Sequence, residues 1–136
     1  MERIVTAAQA RAKDAEAIQA RGIPSLSLMR IAAEGVANAV KQRFTGDETV
    51  TAICGTGNNG GDGIAAALLL HREGIDARIV LCGDASRCTK DASYYLCTAR
   101  EKGVSVSSVW EPTEHEILID ALFGVGLNRP VEGEYI

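Results

Sequence analysis

A run of glycines between residues 55 and 63 constrains this chain more than any other feature of its sequence. Five of the fourteen glycines fall within these nine positions, in a segment that reads G-T-G-N-N-G-G-D-G. The run follows a short β-branched segment at residues 48–54, which we predict to be a strand. It precedes an apolar segment at residues 63–73, which we predict to be a buried helix. Because glycine permits positive φ angles and close approach of a ligand, this order predicts an α/β fold with a ligand-binding loop.

The rest of the chain predicts strands and helices in alternation. Connections of this length favour a mainly parallel sheet with right-handed crossovers. No repeat or linker interrupts the chain, so we predict a single domain over residues 1–136. Two helices are predicted to precede the first strand, and Gly74 and Gly103 are predicted to end later helices. The predicted helices lie at residues 6–21 (from a capping box at Thr6 and Gln9), 27–43 and 88–102, and the further strands at 75–82, 104–109 and 116–120.

Composition excludes several classes of partner. The formal net charge is −4 and no dense basic cluster is present, which argues against a nucleic-acid surface and against a polybasic membrane patch. The longest apolar run, residues 64–70, is too short to span a bilayer. The four cysteines have no C-x-x-C spacing, which favours reduced thiols in the cytoplasm. Aromatic residues make up only 4% of the chain, so we expect a core of Ala, Val, Ile and Leu.

The glycine run has the spacing of a dinucleotide fingerprint. Gly55, Gly57 and Gly60 match G-x-G-x-x-G directly after a predicted strand. The acidic residue that usually binds the ribose is out of place, because Asp76 opens the next strand and Asp84 lies beyond it. No G-K-[ST] sequence is present, which excludes a Walker-type phosphate loop. The pattern alone leaves open a nicotinamide-dependent dehydrogenase and a glycine-rich turn that binds nothing.

Polar side chains within the run favour a ligand with hydroxyl, amide and phosphate groups. Asn58 and Asn59 offer both donors and acceptors. The amides at the start of the following helix favour an anion such as pyrophosphate. We expect Asp62 in the first turn of that helix, where its charge suits the helix dipole, and a simple capping role is its alternative.

A second polar segment begins at the end of the last predicted strand. Asp120 is expected to project towards the same sheet edge as the glycine run, as a cation ligand or an orienting group. Arg129 could place its fork of donors on a phosphate. A solvated strand end and a solvated loop arginine are the alternatives for these two residues.

Two segments together resemble one protein family. They are GTGNNGGDG at residues 55–63, followed by IAAALLL, and DALFGVGLNRP at residues 120–130. The segments TAAQARAKDAEAIQ and GIPSLSLMRIAAEGVANAV are similar to the family's two leading helices. On these motifs the chain resembles the YjeF N-terminal domain family, whose best-known members are NAD(P)H-hydrate epimerases.

The resemblance implies a three-layer αβα, Rossmann-like fold that is commonly dimeric. It implies an isomerase of metabolite repair, which interconverts the R and S forms of hydrated NADH and NADPH at nicotinamide carbon 6. A separate NAD(P)H-hydrate dehydratase is the implied functional partner. Asn59 and Asp120 would supply oxygen ligands to a potassium ion. The residues that would contact the hydrated dinucleotide are Asn58, Asn59, Gly60, Gly61 and Asp62, and on the phosphate side Gly124, Val125, Gly126, Leu127, Asn128, Arg129 and Pro130.

The chain also departs from the family pattern. Family members continue into a further strand that ends in a D-I-P-S-G-like segment, whose aspartate acts on the substrate and whose serine helps to hold the cation. Because no such segment precedes Ile136, we expect a domain without its last strands and assign no catalytic residue within the chain. The segment L-M-R-I-A-A at residues 28–33 also differs from the usual acidic residue and Ala-Gly pair. A non-catalytic nucleotide-binding, dimerisation or scaffold module of the same fold is the alternative function.

Overall fold

The computed structural model describes residues 4–6 and 24–122, which form a parallel α/β fold. The described strands make one sheet in the order β1-β5-β2-β3-β4, and every neighbouring pair is parallel. The predicted parallel α/β architecture is therefore confirmed. The elements are β1 (Ile4–Thr6), α1 (Ser25–Arg43), β2 (Thr49–Cys54), α2 (Asn58–Arg72), β3 (Ala77–Leu81), a 3-10 turn (Ala85–Arg87), α3 (Lys90–Glu101), β4 (Ser105–Ser107) and β5 (Glu116–Ala121).

The strand order reverses direction between β2 and β5. From β2 the chain moves outward to β3 and β4, and it then returns to β5 on the other side of β2. In open parallel sheets such a reversal opens a crevice at the carboxyl ends of the two central strands, where ligands bind. Here those ends carry the glycine run, after β2, and Asp120, in β5.

The described helices pack on one face of the sheet over an aliphatic core, as the composition predicts. Helix α2 lies between α1 and α3 and also contacts the central strands β2, β3 and β5. Its residues 64–68 are at most 1% exposed, so the predicted burial on all sides is confirmed. Gly74 and Gly103 follow α2 and α3 with φ of +84° and +88°, which confirms both as helix-ending glycines. The strand residues in this core are Val50, Ala52, Cys54, Ala77, Ile79, Leu81, Ile117, Ile119 and Ala121.

The opposite face of the sheet carries a polar network near the amino ends of β2, β3 and β5. Arg78 Nη2 donates to Glu116 Oε2 at 2.9 Å, and Arg78 Nε donates to Thr51 Oγ1 at 2.8 Å. The Thr51 hydroxyl and the Trp110 indole N–H also donate to the Glu116 carboxylate. The network connects β2, β3 and β5 at the end of the sheet opposite the glycine run.

Two predictions about the elements are wrong. A strand, β1, precedes α1, whereas the sequence predicts only helices before the first strand. Three residues are too short to show an alternating pattern, and β1 is defined by its parallel pairing with β5 from Ile4–Leu118 to Thr6–Asp120. Helix α2 begins at Asn58 and not near Gly63, because packing contacts override the low helix propensity of glycine.

The described residues test some predictions only in part. The helix predicted at residues 6–21 falls largely in the undescribed part of the chain. Of the three predicted layers, the described residues supply the sheet and one helical layer. None of the helices in the described ranges has both the length and the apolar character needed to cross a bilayer.

Candidate functional site

The structure brings the glycine run and Asp120 to one edge of the sheet. In the β2–β5 ladder Asp120 is paired with Ile53, and the N–H of Gly55 donates to Ala121 O at 2.9 Å. A Cβ added to Gly55 would lie 2.9 Å from Leu122 O, so the two strand ends leave no room for a side chain there. The segments that follow β2 and β5 thus start side by side.

The glycines of the run serve different purposes. A Cβ on Gly60 would lie 1.9 Å from Gly55 O, and one on Gly63 would lie 2.6 Å from Ala121 Cβ. Gly60 and Gly63 therefore let the start of α2 sit directly against the ends of β2 and β5. At Gly57, by contrast, no atom of the described residues lies within 4 Å of an added Cβ, and its φ of −82° suits any residue. Packing explains Gly60 and Gly63, and it does not explain Gly57.

Helix α2 begins at this edge, and Gly57 and Asn58 at its start are exposed. Gly57 is the N-cap, and its carbonyl accepts the first helical hydrogen bond from Gly61 N at 3.0 Å. The amides ahead of Gly61 have no partner within an α-helix, and the helix dipole places partial positive charge on them. This is a suitable place for the phosphate of a nucleotide.

Asn58, Asn59 and Asp62 lie in different environments. Asn58 is exposed, Asn59 is 7% exposed and Asp62 is fully buried. Asn59 and Asp62 are three residues apart, on one side of the helix, and both point into the protein. The expectation that Asp62 lies in the first turn is wrong, because α2 starts earlier than predicted and Asp62 falls in its second turn. A capping role for Asp62 is thereby excluded.

The thiol of Cys54 is buried at the end of β2. Complete burial raises the pKa of the Cys54 thiol well above its ordinary value, and Cys82, Cys88, Asp120 and Asp62 raise it further. A thiol with a raised pKa stays protonated at neutral pH, so Cys54 is unsuited to act as a nucleophile.

The chemistry of these residues fits a potassium ion. Potassium is held by carbonyl, amide and carboxylate oxygens. Asn59 offers a largely buried amide oxygen, and half-buried Asp120 has its Oδ1 oriented by the N–H of Leu122 at 3.2 Å. Within the described ranges no three His, Cys, Asp or Glu side chains form a metal-binding group. Asn59 and Asp120 offer single oxygens from two segments of the chain, which suits a cation of this kind.

Sequence analysis missed one contributor to this edge. The side chain of Thr89 caps α3 by accepting from Ala92 N, and its hydroxyl donates to Asn58 Oδ1 at 2.7 Å. Thr89 N also donates to Thr56 O at 3.0 Å. The sequence offered a threonine at the second position of the helix predicted at residues 88–102, but its contact with a residue 31 positions earlier required the fold. The predicted phosphate-side residues 124–130 lie outside the described part of the chain.

Comparison with known proteins gives a consistent picture. Residues 25–136 match the family model described as YjeF-related protein N-terminus. The chain is 37% identical to an NAD(P)H-hydrate epimerase of Limosilactobacillus fermentum and 38% identical to one of Levilactobacillus brevis. These alignments cover 98% and 99% of the chain but 65% and 63% of the two relatives, so the chain spans less than two thirds of their length.

A solved structure has the same fold. The crystal structure of yeast ynu0, YNL200c, superposes with a TM-score of 0.70 at 24% identity. The superposition covers 98% of this chain and 62% of the yeast chain.

Proposed function

Because this chain belongs to the family of YjeF-related protein N-termini, we propose that it forms the substrate-binding part of an NAD(P)H-hydrate epimerase. The substrates are the hydrated forms of NADH and NADPH, and the reaction interconverts their R and S forms. One observation carries the proposal. The N-N-G-G-D segment forms the start of α2 at the sheet reversal, beside Asp120 in the adjacent strand.

The described residues bind and orient the substrate in this proposal. The first-turn amides of α2 and the exposed Asn58 side chain receive oxygens of the dinucleotide, because these amides have no partner within the helix and the Asn58 amide carries two further donors. Gly57 leaves space for the ligand to approach the backbone. Inversion at the hydrated carbon further needs a group that exchanges protons with the substrate or polarises the ring. No described residue is assigned this role.

Asn59 and Asp120 hold a potassium ion in this proposal. When bound, the ion supplies positive charge beside the substrate. A homodimer, a functional link to an NAD(P)H-hydrate dehydratase and a cytoplasmic location complete the proposal. The dehydrogenase alternative rests on three glycines, of which Gly60 is explained by packing.

The direct test follows the R and S forms of hydrated NADH by chiral chromatography, starting from one enriched form. The protein is expressed from its complete reading frame, and buffer alone gives the uncatalysed rate. We expect the wild type to accelerate equilibration and Asp120→Asn and Asn59→Ala to slow it. The matched control is Asp76→Asn, which removes the same charge from an exposed residue at the opposite sheet edge.

The outcomes separate the candidate functions. Loss of activity in the two site variants, with Asp76→Asn unchanged and activity rising with potassium but not with lithium, supports both the epimerase and the cation site. Equal activity in all variants overturns the site assignment. A wild type that binds no hydrated dinucleotide by calorimetry and yet self-associates favours the scaffold alternative.

A further inference from the structure

The segment between β3 and α3 packs against the glycine run. A Cβ on Gly83 would lie 3.1 Å from Thr56 Cγ2, so the backbone at Gly83 lies close to the Thr56 side chain. Thr89 N donates to Thr56 O at 3.0 Å, and Thr89 Oγ1 donates to Asn58 Oδ1 at 2.7 Å. Residue 89 therefore contacts the run twice, through its backbone and through its hydroxyl.

The Thr89 hydroxyl makes two hydrogen bonds, one as acceptor and one as donor. As the N-cap of α3, its oxygen accepts from Ala92 N at 3.3 Å. Its single proton is then available for Asn58 Oδ1. This bond occupies the amide oxygen of Asn58 and leaves the two N–H donors of the amide to face outward.

We propose that Thr89 is a positioning residue of the dinucleotide site, which holds the Asn58 carboxamide so that its nitrogen faces the substrate. The proposal rests on the proposed function for the identity of the substrate. Asn58 is the first residue of α2, exposed and next to the open position of Gly57. With its nitrogen outward, the amide adds donors to those of the helix start, and the combined surface suits a phosphate or hydroxyl oxygen of the hydrated dinucleotide.

Two variants separate this role from helix capping. Thr89→Asp keeps a good N-cap, since aspartate caps helices about as well as serine or threonine. An ionised carboxylate has no proton to donate, so it would draw the amide nitrogen of Asn58 towards itself and turn the oxygen outward. Thr89→Ser keeps both the cap and the donor and is the matched control.

The kinetic test compares these variants in the protein expressed from its complete reading frame, with hydrated NADH as substrate. We expect Thr89→Ser to match the wild type within about twofold. We expect Thr89→Asp to raise KM by about 10-fold or more with little change in kcat, because the Asn58 amide then presents its oxygen, an acceptor, to a substrate oxygen. Thermal unfolding of the two variants should stay close to that of the wild type.

Repeating Thr89→Asp in an Asn58→Ala background distinguishes reorientation of the Asn58 amide from direct repulsion of the substrate by the new charge. In Asn58→Ala the amide is gone, so most of the effect of Thr89→Asp on KM should disappear if that effect acts through Asn58. An equally large rise in KM in the Asn58→Ala background would mean that the new charge repels the substrate directly, and would overturn the proposal. Unchanged KM in Thr89→Asp would overturn it as well.

A measurement without substrate keeps this proposal distinct from the proposed function. The side-chain amide resonances of Asn58, followed by ¹⁵N NMR, should shift in Thr89→Asp and stay near the wild-type position in Thr89→Ser. The absence of any such contrast overturns the positioning role. If the wild type neither binds nor epimerises hydrated NADH, the proposed function fails, and the NMR contrast still decides whether Thr89 holds Asn58.

Discussion

Replacing Gly60 by alanine tests the central packing claim about this sheet edge. The added Cβ would lie 1.9 Å from the carbonyl oxygen of Gly55. To reach 3.4 Å, where ordinary contact begins, the start of α2 and the end of β2 must separate by about 1.5 Å. That movement would also disturb the hydrogen bond from Gly55 N to Ala121 O, which is 2.9 Å long, because the blocking carbonyl oxygen and this amide belong to the same residue.

The size of the effect follows from what must move. Extra methyl groups in well-packed regions destabilise by about 1–3 kcal/mol when side chains can adjust. Here the blocking atom is backbone, which adjusts less, while alanine returns about 1 kcal/mol through its better helix propensity. We therefore expect Gly60→Ala to lower the free energy of unfolding by about 3 kcal/mol.

Gly57→Ala is the matched control within the same run. No described atom would contact the new Cβ, and φ at this position is −82°. Alanine is a weaker N-cap than glycine, which lowers stability, but it also makes the unfolded chain less flexible, which raises stability. Because these effects oppose each other, the free energy of unfolding should change by no more than about 1 kcal/mol. If the ligand occupies the open space at Gly57, this variant should also bind hydrated dinucleotide more weakly while remaining folded.

The assay is equilibrium unfolding in urea followed by circular dichroism, on both variants and the wild type. A loss below about 1 kcal/mol for Gly60→Ala would refute the close contact between α2 and the end of β2. An equal loss for Gly57→Ala would show that the run is sensitive to any side chain, and would refute the division of roles among its glycines.

Three further predictions concern Arg78, Glu48 and Cys54. Arg78→Met should lower the free energy of unfolding by about 3 kcal/mol, since it leaves Glu116, whose side chain is 8% exposed, without its cation, and Arg78→Lys should lose less. Glu48→Gln should lower it by about 1–2 kcal/mol, because the buried carboxylate accepts from Thr45 N, Thr45 Oγ1 and Gly46 N, and an amide nitrogen cannot accept. Above the ordinary thiol pKa, near 9, the unfolded chain releases the Cys54 proton while the folded chain keeps it, so stability should fall by up to about 1.4 kcal/mol per pH unit. Urea unfolding between pH 7 and 10.5 measures this slope, and an equally steep slope in Cys54→Ala would contradict the assignment.

Local pattern alone predicted much of the fold. The β-branched segment before the glycines, the apolar periodicity of α1 and the positive-φ glycines after α2 and α3 are short-range signals, and each corresponds to an observed element. The start of α2 was missed because glycine-rich sequence argues against helix, while the contacts that favour helix at Gly60 and Gly63 come from other strands. Strand β1 was missed because its position depends on pairing with β5, far along the chain.

For the candidate site too, some features follow from the sequence and others only from the fold. The sequence by itself determined that a strand leads through a glycine run into a buried helix, that Asp120 ends an apolar strand, and which family motifs the chain carries. Only the tertiary structure decided that β5 lies beside β2, that Asp62 is buried in the second turn of α2, and that Thr89 contacts Asn58. Side-chain periodicity reports which face of an element is apolar, but it does not report which elements become neighbours. That choice depends on pairing and packing between residues distant in the chain, and here it places Asp120 next to the glycine run.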